Sequence, residues 1–303
     1  MTQAASPEVS GRSRAEAALR EVYGYCPPTL TSFGKDGRAA YERYWKQFMA
    51  TLGAQPEKFA GRTLLDVGCG SCEKATFYHD WGARVTGIEM TPSIVALGRQ
   101  TIGGRDIHLI QTSLFDFSVR EEDRFDIVIA DGVLHHTADT YASLARCASF
   151  VRDGGLLVFG LVNVWGTFWW FKPARAITRL LGGSDFHRRA RWGQALFGRT
   201  RATQENEDGR GGFFRSPDSW AYDWFGNPRW NAHGPAEVRG WLDRLGFSHV
   251  ASVPSLVTKP HGGWSRLVSA VAGEGPALMS WAWLLSAQPN MFYVCARKTH
   301  APA

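Results

Sequence analysis

The chain has 303 residues, 44% hydrophobic and 20% charged, with a net charge of +6. Those totals exclude wholesale disorder and leave room for a sizeable core, as one α/β domain with additions or as two domains. Five cysteines without framework spacing point to a reduced, cytoplasmic setting, and no apolar run approaches the roughly twenty residues that span a bilayer.

Residues 1–12 read as a flexible tail. Ala15, Ala18, Leu19 and Val22 then fall at helical spacing, with a stop near Gly24, and Cys26-Pro27-Pro28 forces an extended or turning path. A second helix is predicted from Gly37 to Leu52, with Tyr41, Tyr44, Trp45, Phe48 and Leu52 on one stripe whose simplest use is packing on a sheet.

From Gly61 onward strand and helix alternate. Strands are predicted at 63–67, 84–89, 107–111, 125–130 and 155–162, with helices near 73–81, 92–101 and 138–151; Thr91-Pro92 supplies an N-cap and a first helical residue. This alternation implies parallel pairing with right-handed crossovers, hence a doubly wound sheet with ligands at the carboxyl ends of its strands.

The first of those ends organises the chain. Thr63 to Val67 is a short β-prone run, and Gly68 to Cys72 is a tight turn leading into the next helix, where glycines let a ligand approach free backbone N–H groups. A dinucleotide fingerprint needs a third Gly or Ala where this chain has Glu73, whose carboxylate would repel a pyrophosphate; an NAD-linked oxidoreductase is disfavoured accordingly. Asp66 beside the glycines suits a ligand with an amino group, and Glu89 at the end of the second strand suits ribose hydroxyls; S-adenosylmethionine has both. Cys69 and Cys72 form a C-x-x-C, but no second pair or His cluster completes a zinc site, and no metal is expected.

Four segments in order, Leu64-Leu65-Asp66-Val67-Gly68-Cys69-Gly70, Gly87-Ile88-Glu89-Met90, Phe125 through His136, and Val151 through Val158, resemble the successive motifs of class I S-adenosylmethionine-dependent methyltransferases. The resemblance covers residues 60 to 162 well and 235 to 298 more loosely. It implies a mostly parallel seven-stranded Rossmann-like sheet, with N-terminal helices and an aromatic-rich cap insertion. It also implies that Asp66, Gly68, Cys69 and Gly70 hold the methionine part, Glu89 and Met90 the ribose, and Ser113 and Leu114 the adenine. Asp131, Gly132 and Val133 would line the site near the sulfonium, and Tyr44 on the N-terminal helix would reach the methionine end. Family members often carry Asp near Ser113, so Thr112, the Leu114 backbone or Asp116 would share the adenine contact here. The Asn/Asp-Pro-Pro-Tyr/Phe tetrad of base and glutamine N-methylation is missing.

His135 and His136 follow the fourth strand, and His233 precedes a later helix start. An imidazole at any of these positions can take a proton from a phenol or hydroxyl, or can simply hold its loop. His136 aligns with a His that contacts a small anion in the cyclopropane-synthase branch, which keeps carbon alkylation open.

Asn163 to Pro235 departs from the alternation and reads as a cap, dense in aromatics at Val164–Lys172 and Trp220–Phe225 and in arginines at Arg175–Arg201, with a mobile loop at Gln204–Gly212. Its rings suit a lid core, an apolar acceptor pocket, a lipid surface, or single-stranded nucleic acid, in that order of acceptor preference: small molecule, membrane-associated lipid, RNA. Val238, Trp241, Leu242 and Leu245 mark a further helix, Ser248–Val253 a strand, 260–287 a helical hairpin insert and Asn290–Arg297 a closing strand. The organisation is thus 1–58 tail and helical lid, 59–162 cofactor core, 163–235 cap, and 236–303 the rest of the core with its insert. The expected function is methyl transfer from S-adenosylmethionine to a hydrophobic or aromatic small molecule. Two alternatives are a lipid or quinone-like acceptor with peripheral membrane contact, and a cofactor-binding protein without turnover. No nucleic acid partner is expected.

Overall fold

The computed structural model describes residues 7–26, 35–164, 167, 171–207, 217–253 and 291–299. Its elements run α1 (Pro7–Tyr25), α2 (Lys35–Thr51), β1 (Thr63–Val67), α3 (Glu73–Asp80), β2 (Arg84–Glu89), α4 (Pro92–Ile102), β3 (Ile107–Gln111), β4 (Phe125–Ala130), α5 (Thr140–Ser149) and β5 (Val151–Asn163). Then follow α6 (Phe171–Gly182), α7 (Phe186–Glu207), α8 (Pro217–Ala221), a π-helical turn (Tyr222–Gly226), β6 (Ala232–His233), α9 (Pro235–Arg244), β7 (Phe247–Val253) and β8 (Met291–Lys298).

The sheet order is β3-β2-β1-β4-β5-β8-β7, with β6 beside β5. The first five strands are parallel, and β8 runs antiparallel to both β5 and β7. The chain winds outward from β1 to β3, then returns to lay β4 on the other side of β1, so the order reverses between β1 and β4. Crevices open at the carboxyl ends of strands at such a reversal.

Alternation along the strands divides the core. Leu65, Val67, Val128, Ala130, Leu157 and Phe159 face the side covered by α5 and α9, where Leu144, Cys147, Val238 and Trp241 meet them. Leu64, Ile127, Ile129 and Val158 face the opposite side, under Trp45 and Met49 of α2 and Phe77 and Tyr78 of α3. Strands buried on both faces read as near-continuous apolar runs, which is why β4 is buried throughout. Its one charge, Asp126, takes hydrogen bonds from the Thr63 backbone at 2.8 Å and from Arg62 at 3.0 Å; burial would raise its pKa, but these donors hold it below the ordinary carboxylate value.

Several expectations change. The tail at 1–12 gives way to helix from Pro7, whose fixed φ suits a first turn, and Arg12 lies 4.0 Å over the Phe115 ring. The predicted mobile loop at 204–212 is helical as far as Glu207, and its remainder lies outside the described residues. β5 begins at Val151 rather than 155, because Gly154 adopts φ 74° and Gly155 sits where a Cβ would lie 2.8 Å from the Asp126 carbonyl, keeping the strand against β4 through a register shift. Thr91 is the N-cap of α4, but its side chain caps nothing. The continuous path keeps the expected seven strands, and a two-residue β6 beside β5 adds an eighth. The hairpin expected at 260–287 lies outside the described residues. Among the described residues no helix is long and apolar enough to cross a membrane.

Candidate active site

The β1–α3 turn is built from backbone that few residue types tolerate. Gly68 and Gly70 have φ 63° and 57°, and Cys72, the one non-glycine with positive φ among the described residues, has φ 66°. Gly68 is required twice, since a Cβ there would also lie 2.5 Å from Val133 Cγ2 on the β4 side of the reversal. Gly70 has nothing within 4 Å of a built Cβ, and neither has Gly132, at φ 72° in the turn after β4. The two turns that flank the reversal therefore touch at Gly68 and Val133 and stay open above Gly70 and Gly132. Gly87 and Gly98 make room behind the turn for the sulfurs of Cys69 and Cys72, which lie 3.6 Å apart. The hydrogen bond with the Cys72 thiol, and then burial, push the Cys69 thiol well up, leaving it a packing group.

Asp66 ends β1 buried, 5% exposed, and receives no hydrogen bond from any described residue. Burial pushes its pKa up to about 7; Lys74 opposes that rise, and the charges of Glu73 and Glu89 add to it. Lys74, the second residue of α3, pairs with Asp131 and sits 4.0 Å over the Trp45 ring. Glu73 is held by Ser71 Oγ at 2.6 Å. Glu89 is also buried at the end of β2; its Oε1 accepts the Thr91 N–H at 2.8 Å, and burial raises its pKa while hydrogen bonds from the Thr91, Gly70 and Met90 backbone oppose the rise. Strand register aligns these ends: Asp66 pairs with Gly87 and Ile129, and Glu89 with Gln111. Past β3, buried Ser113 donates to Asp116 Oδ2 at 3.0 Å, with Glu16 of α1 close by, and Leu114 is buried beside it. Asp66, Gly68, Cys69, Gly70, Glu89, Met90, Ser113, Leu114, Asp131, Gly132 and Val133 thus all lie along one edge of the sheet.

Tyr44 is half-buried between Tyr41 and Phe48 on α2, whose Trp45 instead lies over Lys74. His135 and His136 are buried with rings 4.0 Å apart and Trp230 edge-on to both. The polar partners of His136 come from the cap. Asn227 Oδ1 accepts the Arg229 N–H at 3.0 Å, so its amide nitrogen faces Tyr23 Oη at 2.7 Å and His136 Nδ1 at 2.9 Å. His136 Nδ1 also lies 3.1 Å from the Arg229 carbonyl, which asks it to donate where the Asn227 amide asks it to accept, and its Nε2 lies 3.6 Å from Asp223 Oδ1, which accepts from Tyr23 at 3.0 Å. His136 is committed to a network joining α1, the core and the cap. Arg175 supports that cap by donating to the carbonyls of Trp224 and Asn227, and burial pushes its pKa down to about 9.

His233 sits apart, on β6 where it pairs with Asn163 at the end of β5. Its Nδ1 lies 3.1 Å from Glu237 Oε2, and its Nε2 is buried with no hydrogen-bond partner among the described residues. A carboxylate can only accept, so the proton is on Nδ1 and the Nε2 lone pair is available. Sequence reasoning missed Lys74, Tyr23, Asp223, Asn227 and Glu237. Of these only Glu237 carried a local signal, its position three residues after Gly234 at a helix start.

Residues 65–159 match a family described as a methyltransferase domain. Ubiquinone biosynthesis O-methyltransferase from Aromatoleum aromaticum is 31% identical over 106 residues, covering 34% of this chain and 45% of that protein. The protein of the same name from a Bradyrhizobium species is 36% identical over 109 residues, covering 34% of this chain and 41% of its own. The chain thus spans less than half the length of these curated relatives. Among solved structures, PKMT2 from Rickettsia typhi superposes with a TM-score of 0.61 at 11% identity, over 88% of this chain and 54% of that one. An S-adenosylmethionine dependent methyltransferase from Mesorhizobium loti gives 0.50 at 18% identity, over 84% and 98%. At such identities the structures speak to the fold, which they share with the sheet described above. Residues 65–159 thus match a methyltransferase domain, set in a sheet whose fold is shared with these solved structures.

Proposed function

We propose that the whole chain transfers the methyl group of S-adenosylmethionine to a hydrophobic or aromatic small molecule. The observation that carries this reading is Asp66, a buried carboxylate with no donor among the described residues, beside an open turn of left-handed backbone and across from a second buried carboxylate, Glu89. These residues fit the cofactor's groups: Asp66 faces an ammonium, the Gly68–Gly70 backbone admits the methionine part, Glu89 offers its second oxygen to ribose hydroxyls, and Ser113 with the Leu114 backbone borders the adenine. When bound, the cofactor supplies a methyl already activated by its sulfonium. The chain's task is then to align donor and acceptor and to exclude water.

For an acceptor that must lose a proton, His233 is the base this reading selects. Glu237 fixes its tautomer with Nε2 buried and unpartnered among the described residues, whereas His136 already spends Nδ1 on Asn227 and the Arg229 carbonyl. His135 stays a candidate beside it. A quinone-like phenol is a second reading of the acceptor, favoured by the ubiquinone biosynthesis O-methyltransferases matched over the domain.

The experiment is product release with a panel of phenols and hydroquinones, read as S-adenosylhomocysteine by mass spectrometry. Turnover is expected with at least one apolar phenol, and His233→Gln is expected to lower it by about 10²–10⁴-fold without changing cofactor affinity. Tight cofactor binding with no product from any acceptor would favour a binding protein instead, and undiminished turnover in His233→Gln would remove the base.

A further inference from the structure

The basic surplus of the chain is concentrated in one hairpin. Residues 171–207 hold eight Lys or Arg against Asp185, Glu205 and Glu207, a surplus of five where the whole chain carries +6, so the remainder is close to neutral. The same hairpin, α6 and α7, is apolar where soluble helices are polar. Of the seven large apolar side chains exposed among the described residues, five are here: Ile177 at 44%, Leu180 at 86%, Leu181 at 44%, Trp192 at 41% and Leu196 at 48%.

These positions are not a mispacked core. On α6 the buried residues Phe171, Ala174, Thr178 and Gly182 recur at helical spacing and define the inward stripe; Leu180 falls opposite it and Ile177 and Leu181 on its flank. On α7, Ala190 and Gly193 turn inward, with Gly193 against Phe225, while Trp192 and Leu196 stay out one turn apart. Gly182 lets the helices close tightly, a built Cβ there lying 2.7 Å from the Arg189 nitrogen. Arg179, Arg188 and Arg191 are exposed around the apolar residues.

We propose that the outer face of the α6–α7 hairpin docks on an anionic lipid bilayer, Leu180 and Trp192 entering the interface and the arginines meeting headgroup phosphates. Charge selects this occupant. A second copy of the chain would set the same surplus against itself. Residues 254–290, outside the described set, carry Lys259 and Arg266 against Glu274 and offer no neutralising charge. An apolar patch ringed by arginine is what an anionic interface recognises, and the inference is independent of methyl transfer.

Co-sedimentation of the full chain with phosphatidylcholine vesicles, with and without phosphatidylglycerol, tests it. Binding is expected only to the anionic vesicles and is expected to weaken with salt. Arg191→Glu should cost more than the about fivefold expected for losing one basic residue at the surface, and Leu180→Glu at least about tenfold. The unfolding midpoint of Leu180→Glu should stay within about 2 °C of wild type, as for an exposed site. Failure to bind anionic vesicles, binding that both variants retain, or a large fall in that midpoint, which would mean the face is covered by the chain itself, overturns the proposal. Equal affinity for single-stranded RNA with the same sensitivity to both variants overturns it as well.

Discussion

Replacing Asp66 by Asn separates what this carboxylate does for a ligand from what it costs the fold. Burial raises its pKa from 3.8 to about 7. A carboxyl with a raised pKa holds its proton more tightly in the folded chain than in the unfolded one. Its contribution to stability is therefore fully present below about pH 3.8 and is lost as pH rises through about 7. A gap of about three units, at about 1.4 kcal/mol each, comes to about 4 kcal/mol near pH 8 and less than half of that near pH 5. Asn carries no charge at any pH and escapes this cost. In urea unfolding, Asp66→Asn should gain on wild type by about 2 kcal/mol between about pH 5 and about pH 8. The same variant should bind S-adenosylmethionine more weakly near pH 8, having lost the partner of its ammonium. In wild type, affinity should climb as pH rises toward about 7 and Asp66 ionises. A stability difference that stays flat over that pH range would refute the burial argument, and unchanged affinity would refute the assignment to the ammonium.

Gly68→Ala should destabilise more than Gly70→Ala, because both add a side chain at positive φ but only the first drives a Cβ into Val133; about 2–4 kcal/mol against about 1 kcal/mol is expected from denaturant midpoints. Asn227→Ala leaves Tyr23, His136 and the Arg229 N–H short of a partner at the joint of α1, core and cap, and should cost about 1–3 kcal/mol. Its faster hydrogen exchange should be confined to α1 and residues 217–231 if that network holds the cap.

Much of the core could be read from residues alone, for a physical reason. β1 and β4 are mostly apolar on both faces and end at glycine-bearing turns, and β1 to β4 all fall on their predicted bounds. The start of β5 was hidden by Gly154-Gly155, which resemble a turn and instead hold a strand close to its neighbour. β6, with two residues, has no period to detect. Helix at Pro7–Arg12 and Gln204–Glu207 stands on polar sequence that propensity alone leaves undecided. The crevice residues were legible because Asp66, the glycines and Glu89 each sit at a strand end. The cap network was not, since Tyr23 and Asp223 are 200 positions apart and carry no shared local pattern. Lys74 was equally silent, being an ordinary helix residue until the fold sets Asp131 beside it.

The most direct measurement is a calorimetric titration of wild type and Glu89→Ala with S-adenosylmethionine and, separately, with NAD. The account predicts one saturable site for S-adenosylmethionine near neutral pH, loss of at least about tenfold in affinity in Glu89→Ala, and no binding of NAD. NAD binding in place of S-adenosylmethionine, or equal S-adenosylmethionine affinity in both proteins, would contradict it.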